Sequence, residues 1–200
     1  MLRGFILGII VSAVVMAGAF YLVVVNGGIP AAADQPAGRV ETWVASHDLS
    51  AVLNANAPKT ANPVPLNDAN LIAGIRLYTD NCSVCHGTAA GDASKSPIAK
   101  GEAPPPPQLA TDGVEDDPEG VTFWKVKHGI RFTGMPSWRS TLSDQQIWTL
   151  ALFLKNMDKL PPAPKAVWES AGGPAPPPPP QTQSPAASHQ GQSPAEPDED

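Results

Sequence analysis

The sequence predicts an all-α fold, with one small helical domain set between an apolar N-terminal segment and a proline-rich C-terminal tail. Three observations predict it. Two stretches, near 67–82 and 141–157, place apolar residues at helical spacing behind good capping residues. No stretch alternates as a half-buried strand does, and no internal repeat recurs. Both ends differ in composition from the middle, which leaves about 90 to 100 residues for a single core.

Residues 1–28 form the first element. From Phe5 to Val25 there are 21 residues without a charge. At about 1.5 Å per residue, such a helix crosses a bilayer core of roughly 30 Å. Arg3 is the only charge on its N-terminal side, which favours an N-in orientation with the rest of the chain outside the cytoplasm. The competing reading is a signal peptide cut near Ala31-Ala32-Ala33. The apolar run exceeds the roughly 7 to 15 residues usual for a cleaved signal. Residues 29–65 read as a linker, packed or draped on the domain, that contains a short helix in VETWVASHDLSAVL. His47 there reads as solvated or capping.

A helix follows in NDANLIAGIRLYTDNC. Asn67 or Asp68 caps it, and Leu71, Ile75 and Tyr78 share one face. Gly74 costs about 1 kcal/mol relative to alanine, so a second helix is expected to pass closely over it. The helix runs directly into Cys82. Residues 88–120 are irregular, with the run Pro104-Pro105-Pro106-Pro107 and an acidic stretch from Glu115 to Glu119. A loop that long calls for something to wrap around. A short helix in VTFWKVKHG ends at Gly129. The last helix, TLSDQQIWTLALFLKNM, opens with a Ser143/Gln146 capping box and carries the stripe Ile147, Leu150, Ala151 and Leu154. Pro161-Pro162 ends it. Residues 161–200 read as a disordered, proline-rich acidic tail.

The net charge is −6. The tail after Leu160 holds five acidic residues against Lys165, and residues 66–160 hold 9 basic and 11 acidic. No basic patch argues for nucleic acid as a partner.

The chain has two cysteines, and they stand together as Cys82-x-x-Cys85 with His86 directly behind. This is the pattern of covalent c-type haem attachment. Two intervening residues let both sulfurs reach vinyl groups on adjacent pyrroles, and the next residue places an imidazole against the iron. A zinc site would want four ligands, usually as two pairs. A thioredoxin-like dithiol would follow a strand, whereas this pair follows a helix. The sixth iron position points to Met135 in the stretch GMPSW, 49 residues beyond His86. Its flanking Gly134 and Pro136 suggest a fixed turn outside the core. His128 is the runner-up ligand, and Met157 reads as a core or surface residue. His/Met ligation raises the reduction potential relative to two histidines.

On these residues the segment 66–160 resembles a monohaem class I cytochrome c. Gly74 and Tyr78 stand before Cys82 as the small and aromatic residues of that family's first helix do. Leu150-Ala151-Leu152-Phe153-Leu154 is similar to the last-helix pattern that crosses it. Pro107-Gln108-Leu109 resembles the loop whose proline carbonyl accepts the proton of the haem-binding histidine, with Pro106 as the alternative register. The resemblance implies three to five helices around one covalent haem c bonded to Cys82 and Cys85. With His86 and Met135 as the iron ligands, it implies Pro107 as the partner of His86. Tyr78 and Trp138 are expected to pack against the haem, and Arg131 is a candidate to hydrogen-bond its propionates. Trp124 is expected to pack the pocket as Trp138 does, and Arg139 is a second candidate for the propionates.

The function expected is an electron carrier rather than an enzyme. It would be a single-pass inner-membrane protein with its haem domain in the periplasm, set between a quinol- or dehydrogenase-side donor and an oxidase-side acceptor. Two alternatives remain open: a fixed electron-transfer subunit of a membrane oxidoreductase, and a haem sensor or peroxidase with a displaceable sixth ligand.

Overall fold

The computed structural model describes residues 2–28, 31–94 and 96–171. Apart from one isolated bridge between Thr88 and Gly91, the regular structure of the described residues is helical. The order is α1 (Leu2–Val25), α2 (Arg39–Asn56), α3 (Asp68–Asn81), α4 (Ser83–His86), α5 (Pro97–Gly101), α6 (Glu119–His128), α7 (Asp144–Lys155) and α8 (Pro162–Ser170), with a 3-10 turn at Met157–Lys159. The all-α expectation is met, and α1 is long and apolar enough to cross a membrane, with mean hydropathy 2.5 and no buried residue.

The domain is built on α3 crossing α7. Asn67 caps α3 by accepting from Asn70 N–H, and Ser143 and Gln146 close the capping box of α7. Each cap satisfies helix N–H groups that have no partner within the helix. Leu71, Ile75 and Tyr78 of α3 are buried against Ile147, Leu150, Ala151 and Phe153 of α7. At Gly74 the helices nearly touch: a Cβ there would lie 2.6 Å from Phe153 Cβ and 2.7 Å from the Thr149 carbonyl oxygen. The glycine is present because only hydrogen fits. From the other side α6 stacks Phe123 on Trp148, centroids 4.3 Å apart.

Two expectations need correction. The segment 29–65 is more than a linker with a short helix. α2 runs for 18 residues, because its only glycine and proline breakers lie outside 39–56. The chain beyond it is fastened to the domain, as expected of a linker packed on it. Ala57 and Val64 are buried, and Asn62 donates to Glu119 and to the Trp148 carbonyl. The second correction concerns the tail. It does not begin at 161, because 162–170 form α8. Its prolines sit in the first turn, where no N–H is needed, and Trp168 is only 6% exposed. The Trp168 ring meets Tyr78 and Phe153 edge-on at 5.4 and 5.2 Å. Residues 172–200, the rest of that predicted tail, lie outside the described residues.

Removing the Trp168 ring should therefore leave a hole in the core. Trp168→Ala is expected to lower the stability of the domain by about 3 kcal/mol in denaturant unfolding, whereas a residue on a loose tail would change nothing.

Candidate functional site

α3 delivers the cysteine pair. The Cys82 N–H donates to the Tyr78 carbonyl as α3 ends, and the chain winds at once into the single turn of α4. The buried Tyr78 hydroxyl donates to the carbonyls of His86 and Gly87, at 3.1 and 2.9 Å. Leu109 N–H also donates to the His86 carbonyl. The histidine backbone is thus held from α3 below and from the proline loop beside it.

Cys82, Cys85 and His86 line one cleft. Tyr78, Leu150 and Leu154 form its floor, contributed by the α3/α7 crossing, and Pro104 to Pro107 form a wall. Proline has no N–H, so this wall presents an apolar surface without orphaned donors. Met135 and Trp138 line the cleft as well. Their loop is tied back onto the end of α6. Gly129, at φ +66, turns the chain. Ile130 N–H donates to the Met135 carbonyl, Met135 N–H to Thr133 Oγ1, and Trp138 N–H to the Val126 carbonyl.

His86 Nδ1 lies 2.8 Å from the Pro107 carbonyl oxygen. A carbonyl only accepts, so Nδ1 carries the proton and Nε2 keeps its lone pair. The register left open between Pro106 and Pro107 falls on Pro107. The Pro106 carbonyl instead accepts from Gln108 Nε2 at 3.0 Å.

The other predicted residues divide. Tyr78 and Trp138 are at the cleft, but Arg131 is exposed and absent from its lining, as is Arg139. Trp124 does not line the cleft either, and stacks on His128 at 4.8 Å. That pairing also accounts for His128, an exposed residue outside the lining. Partial burial lowers its pKa, helped by Arg139 and Lys127. Met157 is buried core in the turn after α7.

Two polar residues at the site carried no signal in the sequence. Glu102 accepts from Cys85 Sγ at 3.1 Å. Gln108 donates to the Cys85 and Pro106 carbonyls and accepts from Ala93 N–H at 2.6 Å. Both reach across the fold, Glu102 to Cys85 and Gln108 to Cys85 and Ala93.

The donor set fits a haem. Two thiols and an imidazole with a fixed tautomer share an apolar cleft with a thioether. All four donors are neutral or lose their proton on bonding, as a low-dielectric site requires. Among the described residues no group of three or more His, Cys, Asp or Glu side chains gathers as a zinc cage would need.

Residues 69–154 match the family described as Cytochrome C oxidase, cbb3-type, subunit III. This segment, which holds Cys82, Cys85, His86 and Met135, is a c-type cytochrome domain with an electron-transfer role. Neither a curated protein nor a solved structure matches the chain.

As free thiols, both cysteines are poor nucleophiles. Burial and then Cys85 push the Cys82 thiol up to about 12, and burial with the Glu102 carboxylate pushes Cys85 up to about 11. A thiol reacts as thiolate, and a raised pKa leaves it protonated until the pH climbs past that value. Iodoacetamide labelling of the folded haem-free chain at pH 8 should run at least about tenfold slower than for a free cysteine. The rate should rise steeply towards pH 11, at Cys85 before Cys82, as peptide mass mapping would read.

Proposed function

We propose that this protein is a membrane-tethered carrier of single electrons, with one haem c bonded to Cys82 and Cys85 and its iron held between His86 and Met135. The observation that carries the reading is the convergence of these four side chains on one apolar cleft, with His86 Nδ1 tied to the Pro107 carbonyl. When bound, the haem supplies one-electron exchange between ferric and ferrous iron. The chain supplies the rest. The Pro107 carbonyl holds the imidazole proton and aims Nε2, the Met135 thioether offers a neutral sulfur that favours the ferrous state, and the proline wall and helix floor exclude water. With α1 in the inner membrane and Arg3 on the cytoplasmic side, the domain faces the periplasm. There it exchanges electrons with a quinol- or dehydrogenase-side donor and an oxidase-side acceptor.

The rim of the cleft suits a transient encounter. Among the described residues from 57 to 171, four large apolar side chains are at least half exposed: Leu66, Val84, Ile98 and Phe132. Three of the four stand close in the chain to residues that line the cleft, although none lines it itself. Val84 lies between the cysteines, Ile98 is on α5, where Ser96 bonds the Val84 carbonyl, and Phe132 leads into the Met135 loop. Phe132 is 92% exposed and adopts φ +62, a conformation rare for a bulky residue.

A second reading has its own support. The family description names an oxidase subunit, which favours a fixed haem subunit of a membrane oxidase. Stoichiometric co-purification with a catalytic partner after detergent extraction would select it, and recovery as a single species would select the mobile carrier.

Two outcomes test the site and the rim. Met135→Ala should abolish the weak far-red ferric iron–thioether band and lower the potential by on the order of 0.1 V. Redox titration and spectra of the purified haem-stained protein check this, and an unmoved potential would remove Met135 from the ligand set. Phe132→Ser should slow electron exchange with native membranes about fivefold while leaving reduction by ascorbate unchanged.

A further inference from the structure

α2 carries two apolar faces, and the domain uses only one. At about 100° per residue, Leu49, Val52 and Leu53 share a side, half-buried where α2 meets α6. Val40, Trp43 and Val44 point the opposite way, at 76, 60 and 51% exposure. The helix is not free to roll this second face inward, because the chain after it is fixed by Ala57, Asn62 and Val64. Trp43 is itself braced. Its ring lies against the His47 ring at 4.5 Å, and His47 Nδ1 bonds the Trp43 carbonyl at 2.8 Å.

We propose that the Val40–Trp43–Val44 face of α2 rests in the headgroup layer of the membrane that α1 spans. This rests on the anchor reading above. The 13 residues from 26 to 38 join α1 to α2, and fully extended they reach at most about 45 Å. The end of α2 that carries the exposed face is the end nearest the tether. A tryptophan flanked by aliphatic side chains suits the interface, where its apolar body is buried and its ring N–H stays wet.

Three residues make too small a patch for a stable protein interface, which takes roughly 800 Å² per partner. They suffice for a bilayer, because the tether holds the surface at high effective concentration. Electrostatics plays little part: α2 has Arg39 against Glu41 and Asp48, so contact should not require anionic lipid. The consequence is orientation. The inner face of α2 sits on α6, whose Thr122, Lys125 and Val126 line the haem cleft. Seating α2 on lipid therefore sets how the cleft is presented to partners in the same membrane.

The test uses the full-length haem protein in phosphatidylcholine nanodiscs, in the ferrous state. Both native cysteines are bonded to haem there, so a nitroxide can be attached at one introduced thiol: Val44→Cys, Val15→Cys in α1, or Ser140→Cys on the domain. Collision with oxygen reports lipid, and collision with a nickel chelate reports water. The label at 44 should show an oxygen-to-nickel ratio at least about threefold above that at 140. Adding Trp43→Asp should return it to the value at 140, and added salt should not. If the label at 44 matches that at 140 while the label at 15 is in lipid, this proposal is overturned and the anchor stands. If the label at 15 is also in water, the anchor reading fails and takes this one with it. Dipolar broadening between labels at 44 would mean that a second copy covers the face, which overturns the proposal as well.

Discussion

The close approach of α3 and α7 at Gly74 is the constraint on which the site depends. The Cβ that glycine lacks would sit 2.6 Å from Phe153 Cβ, so the two helix axes are as near as the backbones permit. That contact sets the floor of the cleft, because Tyr78 comes from α3 and Leu150 and Leu154 from α7. It also sets the position of the cysteine motif, which starts in the residue after α3 ends. The Tyr78 hydroxyl then carries the registration one step further, by bonding the His86 and Gly87 carbonyls. A side chain at 74 would part the helices, and would move the thiols and the imidazole relative to the floor beneath them.

Around the cleft, polar groups are satisfied from behind. Gln108 lies outside the cleft lining and ties the Cys85 and Pro106 carbonyls to the Ala93 amide. Asp117, which also borders the cleft, is neutralised by Lys125 at 2.6 Å. Glu102 differs. Its hydrogen-bond donor is the Cys85 thiol, so the contact depends on that sulfur keeping its proton.

What could be read from the sequence was what is written locally. The caps at Asn67 and Ser143 and the stripes on α3 and α7 announce themselves within a few residues, and the cysteine motif is contiguous. Gly74 was legible because a glycine inside a strong helix costs stability unless a neighbouring backbone needs the space. The misses share a cause. α8 was hidden by its composition, since Pro162 and Pro164 resemble a linker until the first-turn tolerance for proline and the burial of Trp168 are considered together. The length of α2 was underestimated because its one well-packed patch is small. Arg131 lies beside the right loop but does not line the cleft, and position along a chain does not encode side-chain direction in a loop. Trp124 lies on the face of α6 opposite Thr122, Lys125 and Val126, which line the cleft. Glu102 acts on Cys85, and Gln108 on Cys85 and Ala93, partners that only the fold brings close.

α8 and α2 lie outside the matched segment of 69–154, yet each is fastened to it. Trp168 closes the aromatic cluster beneath Tyr78, the residue that holds the turn of the cysteine motif. The segment after α2 bonds Glu119 at the start of α6, a helix that lines the cleft. The additions therefore bear on the site from two sides without entering it, one through the floor and one through a wall. A domain of this size buries a modest share of its surface, and these flanking pieces extend its core past Tyr78 on one side and Trp148 on the other. Part of the domain's core is thus carried by segments outside the match, while Cys82, Cys85, His86 and Met135 stay within it.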